Sequence, residues 1–321
     1  MSVRACLGSP EQALVLGIRF ESAPRWLPAI PDRPAGARGP DARGRLALTL
    51  ETASCHDPSV EFGADAYERE ILAFRAAREA RYRSEQGWLT LVERLALEPG
   101  PNPTPLGVID LEPGGRIALH VEQGVEVTRD GRPVSGRVTL QLGSEPAVFH
   151  MGGRRYELVL RGERAFVRVR DPESPARVDF SGIPVYPIDP DYRVSAEFAR
   201  LAEPEDTAVE MSDGDEDVAH LLGEARFALP DTSSPVRLQI FTEDSTGRLY
   251  VPFGDPTNRN ETYGGGRFLY GQEDAGSLIL DFNRACNPPC AFNPLVTCPL
   301  PPPANRLTVP VRAGERLPRG N

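Results

Sequence analysis

Two neighbouring stretches decide the fold: Ile117-Ala118-Leu119-His120-Val121 and Val125-Glu126-Val127-Thr128-Arg129-Asp130-Gly131. Each is short and built largely from β-formers. Asp130-Gly131 is a dipeptide suited to the positive-φ positions of a tight hairpin turn. Working outward, similar segments recur at near-regular spacing, at 138–142, 148–150, 156–160 and 166–170. Arg168 and Arg170 alternate with Val167 and Val169, the pattern of a half-exposed strand. Further strands are read at 192–198, 225–229, 236–242, 249–253, 277–282 and 307–311. This rhythm predicts a mainly β protein made of antiparallel β-sandwich or barrel-like units.

One helix stands before the strands. Over 64–83, Tyr67, Ile71, Phe74 and Ala77 recur at three- and four-residue steps, with Glu68, Glu70, Arg75, Arg78 and Glu79 on the other faces. An amphipathic N-terminal helix packed on the β units follows. Gly87 ends it, and Trp88-Leu89-Thr90-Leu91-Val92 reads as buried. Residues 1–60, rich in Pro, Arg and Gly around 31–40, read as an irregular appendage with short apolar stretches at 13–20 and 46–50. The expected domains are therefore that appendage, a helix plus β-sandwich-like domain at 61–200, and a C-terminal β domain at 201–321.

Composition narrows function mainly by exclusion. The 30 glycines and 33 prolines in 321 residues favour short strands joined by turns. The net charge of -10 argues against nucleic-acid binding, which needs clustered positive charge. It leaves room for a local arginine-lined anion pocket. There is no lysine, so all 36 basic residues are Arg. That removes internal Schiff bases, Walker A loops, the kinase third-strand lysine and S-x-x-K serine enzymes. No G-x-S-x-G or H-E-x-x-H occurs. Gly264 and Gly266 begin a G-x-G, but Leu269 stands where a dinucleotide fingerprint needs glycine. His56, His120, His150 and His220 are scattered, so neither a His-rich metal site nor a cofactor is expected. No apolar run is long enough to span a membrane, and the start lacks a signal-peptide pattern. The expected location is cytoplasmic, without membrane contact, and nothing in the sequence names a protein partner. The acidic run Asp213-Gly214-Asp215-Glu216-Asp217 lacks the spaced ligands of a calcium loop and reads as solvated.

The densest chemistry lies from Glu261 to Arg306. Gly264, Gly265 and Gly266 permit positive φ or close backbone approach, and beside Arg267 their N–H groups would form a small anion nest. Asp281, Asn283 and Arg284 follow a strand, where a carboxylate–guanidinium pair orients neighbours or a ligand carboxylate. Two readings stand: a polar knot pinning the loop to the sheet, or a ligand site. Cys286, Cys290 and Cys298 are compatible with buried thiols, a Cys290–Cys298 disulfide or three thiolates on zinc lacking an obvious fourth ligand.

Several segments of this C-terminal half and of the region before it resemble the domain of unknown function 1684, a bacterial and archaeal family. They are Gly87-Trp88-Leu89-Thr90-Leu91, Arg170-Asp171-Pro172-Glu173-Ser174-Pro175-Ala176-Arg177, Glu261-Thr262-Tyr263-Gly264-Gly265-Gly266-Arg267-Phe268 and Leu280-Asp281-Phe282-Asn283-Arg284-Ala285. Asn287-Pro288-Pro289-Cys290-Ala291-Phe292 and Thr297-Cys298-Pro299-Leu300-Pro301-Pro302-Pro303 complete the resemblance, which covers roughly 64–317. The chain departs from the family at Cys286, where tyrosine is usual, and over 99–109, which lacks a glycine-and-aspartate loop. The resemblance implies a domain identity without a substrate.

Function is accordingly expected to be the binding or hydrolysis of a small anionic ligand at the C-terminal block. Tyr263 and Tyr270 would be polar aromatics, Arg267 and Arg284 anion clamps, and Asp281 an orienting or basic carboxylate, with Gly264, Gly265, Gly266 and Asn283 beside them. The alternative is a non-catalytic β-sandwich interaction module. A third reading makes the block a folding staple, in which loss of Arg284 costs a few kcal/mol.

Overall fold

The computed structural model describes residues 58–318, apart from 163, 231, 244, 245 and 275, with side chains from 65 onward. The appendage expected at 1–60, with Cys6, Cys55 and His56, lies outside the described residues except for 58–60, which are helical. Residues Asp57–Asn321 form one compact unit. Helix α1 (Pro58–Arg83) leads into ten strands: β1 (Leu91–Leu97), β2 (Gly100–Thr104), β3 (Gly107–Glu112), β4 (Arg116–Val121), β5 (Val127–Arg129), β6 (Arg132–Val134), β7 (Gly136–Gln141), β8 (Ala147–Met151), β9 (Arg154–Arg161) and β10 (Arg164–Arg170).

These strands build two antiparallel sheets, a six-stranded one ordered β1-β10-β9-β8-β5-β6 and a four-stranded one ordered β2-β3-β4-β7. One apolar cluster holds side chains from both, including Ile109, Ile117 and Leu119 from the smaller sheet and Phe149, Leu158 and Val167 from the larger. Asp130 and Gly131 sit at φ 52 and 72, with Arg129 paired to Arg132 across them, so the hairpin anticipated from the dipeptide is formed.

After the short helix α2 (Pro175–Val178), the chain enters a closed antiparallel barrel of β11 (Arg193–Glu210), β12 (Glu216–Phe227), β13 (Val236–Glu243), β14 (Arg248–Phe253), β15 (Arg267–Asp274) and β16 (Ser277–Asp281). Closure pairs every strand edge, and Leu238, Ile240, Val251, Phe253, Leu269 and Leu280 fill the interior without solvent exposure. The expected boundary at 200/201 falls within β11. The mainly β, antiparallel expectation with one long N-terminal helix holds. Among the described residues, no helix is long and apolar enough to cross a membrane.

Three local expectations are corrected. The helix places Ile71 and Tyr82 in the interior, but Ala77 is exposed and Arg78 points inward, because Glu315 waits there with a carboxylate. β1, β2 and β3 were not anticipated; Pro101 and Pro103 masked β2, which tolerates them because it is a sheet edge paired only with β3. Finally, 307–311 is not a strand. Pro310 has no N–H for a ladder, and the Val311 and Ala313 carbonyls are taken by Arg267 instead.

Candidate functional site

Arg267 begins β15 and has no exposed surface. Its Nη2 donates to Asp255 Oδ2 at 2.7 Å and to the Val311 carbonyl at 2.8 Å, and its Nη1 donates to the Ala313 carbonyl at 2.5 Å. The guanidinium also lies over the Phe253 ring at 5.1 Å. The alternate carbonyls of one extended segment are thus collected by a single cation, which fastens the C-terminal strap to the barrel.

A second knot joins the helix to the end of β16. Tyr67 Oη donates to Asp281 Oδ1 at 2.9 Å, and Asn283 Nδ2 donates to Tyr67 Oη at 2.9 Å and to the Asp189 carbonyl at 2.7 Å. The Asp189 N–H returns a bond to Asn283 Oδ1 at 3.0 Å. Arg284 pairs with Glu70 and lies 3.5 Å from Asp281, with Phe74 beneath its guanidinium. Burial and the Asp281 carboxylate hold the Tyr67 hydroxyl well above its ordinary range.

The glycines form a tight turn, closed by the Gly266 N–H on the Tyr263 carbonyl at 3.1 Å. Gly266 takes φ 83, and a Cβ there would lie 2.5 Å from Pro301 Cγ and 2.6 Å from the Phe253 carbonyl oxygen. The turn therefore backs onto the proline run. Cys286, Cys290 and Cys298 are free thiols in a buried cluster with Phe268, flanked by Tyr263 and Tyr270. The Cys298 thiol donates to the Cys290 sulfur, which lowers the Cys290 pKa; Tyr263 adds to the effect while burial opposes it. Cys298 is pushed up in return. Among the described residues, no group of three or more His, Cys, Asp or Glu side chains is arranged to hold a metal ion.

On the far side of these thiols lies a cavity of about 390 Å³, whose walls come from α1, β1, β9, β10, β13, β14, β15 and the stretch 286–298. Among the described residues six arginines line it, Arg78, Arg81, Arg94, Arg161, Arg168 and Arg248, against one carboxylate, Glu243. Two have polar partners. Arg78 is bound to Glu315 at 2.8 Å, and Arg94 Nη1 donates to Thr297 Oγ1 at 3.2 Å. The guanidinium groups of Arg81, Arg161, Arg168 and Arg248 have no hydrogen-bond acceptor and no ion-pair partner among the described residues.

Arg168 is the most constrained of these. Burial pushes its pKa down to about 10, the neighbouring Arg161, Arg170 and Arg94 add to the drop, and Glu157 opposes it. Aromatic rings fix the cations in place. Arg168 lies 5.3 Å from the Phe166 centroid and 5.5 Å from Trp88, Arg94 lies 4.7 Å from Phe166, and Arg248 lies 3.8 Å from Tyr270. Cys286 borders the cavity as a neutral thiol, raised to about 11 by burial against the opposing charge of Arg78. Tyr270, raised to about 12 chiefly by burial, is likewise a neutral donor.

Of the residues singled out by sequence, Tyr270, Cys286 and Cys298 border the cavity. Tyr263, the three glycines, Arg267, Asp281, Asn283, Arg284 and Cys290 do not. Sequence reasoning missed the six arginines, which span 171 positions and belong to five separate elements; only the alternation at Arg168 marked one of them as strand-borne.

A family model described as "Protein of unknown function (DUF1684)" matches residues 178–316. A solved structure, the solution NMR structure of an uncharacterised protein of Haloarcula marismortui, shares 34% identity over 47% of this chain and 83% of its own length, with a TM-score of 0.37. Over residues 178–316 the chain resembles the DUF1684 family. No curated protein matches it. The matched region holds the whole barrel, and so the DUF1684 part supplies the Arg248, Tyr270 and Cys286 side of the cavity. The helix and the sandwich, which supply Arg81, Arg94, Arg161 and Arg168, precede the matched residues.

Proposed function

We propose that the protein binds a small anionic ligand in the arginine-walled cavity, with Arg168 as the principal contact. The observation that carries this reading is a half-buried guanidinium, crowded by like charges and without a hydrogen-bonded carboxylate among the described residues, the nearby Glu157 being paired to Arg155 and Arg170. An arrangement of that kind is costly in an empty site and favourable once an anion enters. The low-dielectric wall of Trp88, Phe166 and Tyr270 strengthens the attraction. Tyr270 keeps the role of polar aromatic, and the neutral Cys286 thiol offers a weak donor.

Arg267, Asp281, Asn283 and Arg284 act in this reading as the frame that holds the C-terminal segment and the helix in register around the cavity. Among the described residues the one carboxylate lining the cavity, Glu243, accepts from Thr246 Oγ1 at 2.6 Å, and the reading assigns binding without a reaction. Thermal melting with sulfate, citrate and pyrophosphate tests it. At least one should raise the melting temperature of the wild type, while Arg168→Gln melts at or above the unliganded wild type and responds weakly. An equal response from Arg168→Gln removes the proposal.

A further inference from the structure

Resting on that anion-binding reading, we infer that the cavity is built for an oligophosphate, a chain of at least two phosphoryl groups. Charge is the first argument. With Arg78 already neutralised by Glu315, five lining arginines face one carboxylate, Glu243, among the described residues, a surplus of four positive charges on these side chains. Each phosphate bears roughly 1.5 to 2 negative charges near neutrality, so two linked phosphates match the surplus and a lone carboxylate does not.

Direction is the second. The guanidiniums that find no acceptor among the described residues come from α1, β9, β10 and β14, so donors reach the space from several elements. A carboxylate is planar and is served by one guanidinium fork. A phosphoryl group presents its oxygens around a tetrahedron and takes donors from several sides.

The aromatic rings supply the third. Phe166 carries Arg94 and Arg168, Trp88 carries Arg168 and Arg170, Tyr270 carries Arg248, and Tyr82 carries Arg78. These faces are spent on orienting cations, which leaves them closed to a stacked nucleobase. The recognised portion is therefore the phosphate chain. Because the whole chain is at -10, any tight polyanion binding must come from a local site.

Isothermal titration of the full chain with pyrophosphate, tripolyphosphate, citrate and AMP tests the inference. Pyrophosphate and tripolyphosphate should bind at least about tenfold more tightly than citrate or AMP, as one extra charge-assisted contact gives. Arg161→Gln, at an exposed position without an acceptor, should weaken tripolyphosphate by about tenfold and keep the fold. Arg132→Gln, outside the cavity, should bind as the wild type does. Citrate binding as tightly as pyrophosphate would overturn the oligophosphate class and leave the anion site standing. AMP binding more tightly than pyrophosphate would overturn it in favour of a base-reading pocket. Failure of all four titrants, or equal weakening by Arg132→Gln, would overturn this inference and the anion-binding reading together.

Discussion

Arg267 Nη2 lies 2.7 Å from Asp255 Oδ2, and neither side chain has any exposed surface. Removing one member of such a pair strands the other charge, at a cost of about 3 to 5 kcal/mol. Arg267→Ala also frees the Val311 and Ala313 carbonyls. Urea unfolding should show a loss within or above that range; a loss under about 1 kcal/mol would mean that the strap holds without it.

Asn283 and Arg284 are adjacent, yet their substitutions should differ. Asn283→Ala deletes bonds to Tyr67 and both backbone groups of Asp189 at a buried position, and should cost about 2 to 3 kcal/mol. Arg284→Ala breaks a pair whose side chains are 33% and 64% exposed, and should cost at most about 1 kcal/mol. The larger loss that a folding staple implies therefore belongs to Asn283. Chemical denaturation of the two variants side by side decides the order.

Gly266 and Gly214 both have positive φ, 83 and 86. A Cβ at Gly214 meets nothing within 4 Å, whereas one at Gly266 meets Pro301 and the Phe253 carbonyl. Gly214→Ala should cost about 1 kcal/mol and Gly266→Ala about 2 kcal/mol or more. Equal melting temperatures for the two variants would show that the proline run yields.

Cys290 is held below its ordinary pKa by the Cys298 thiol and the Tyr263 hydroxyl. A depressed pKa means that the thiolate accumulates at lower pH, so iodoacetamide labelling of Cys290 should rise at a pH below about 8.5, the free-cysteine value. Cys298→Ala should shift that rise upward. Mass spectrometry of the labelled peptide across pH checks it, and labelling that tracks a free cysteine refutes the assignment.

The β character, the Asp130-Gly131 hairpin and the helix were legible because each follows from local residues: period-two strands, a positive-φ dipeptide, apolar steps of three and four. The polar knots were half legible. Arg267, Asp281 and Asn283 stood out by type, but whether they met one another or a ligand depended on Tyr67, Asp189, Asp255 and the strap carbonyls, all distant in sequence. The cavity was illegible for the same reason. Arg81 and Arg248 are ordinary surface arginines until the barrel and the sandwich bring them to one space, and no spacing rule connects them. The 307–311 stretch failed differently, since its β-formers were right while Pro310 and Arg267 replaced the ladder.

The central claim is most directly tested at Trp88, whose ring carries Arg168 and Arg170. With Trp26→Phe, Trp88 is the single tryptophan of the chain. Pyrophosphate drawing Arg168 toward itself should produce a saturable change in Trp88 emission, absent when Arg161→Gln and Arg168→Gln are added. Emission unchanged by pyrophosphate, sulfate and citrate alike, or a change that survives both substitutions, would contradict an anion site in this cavity.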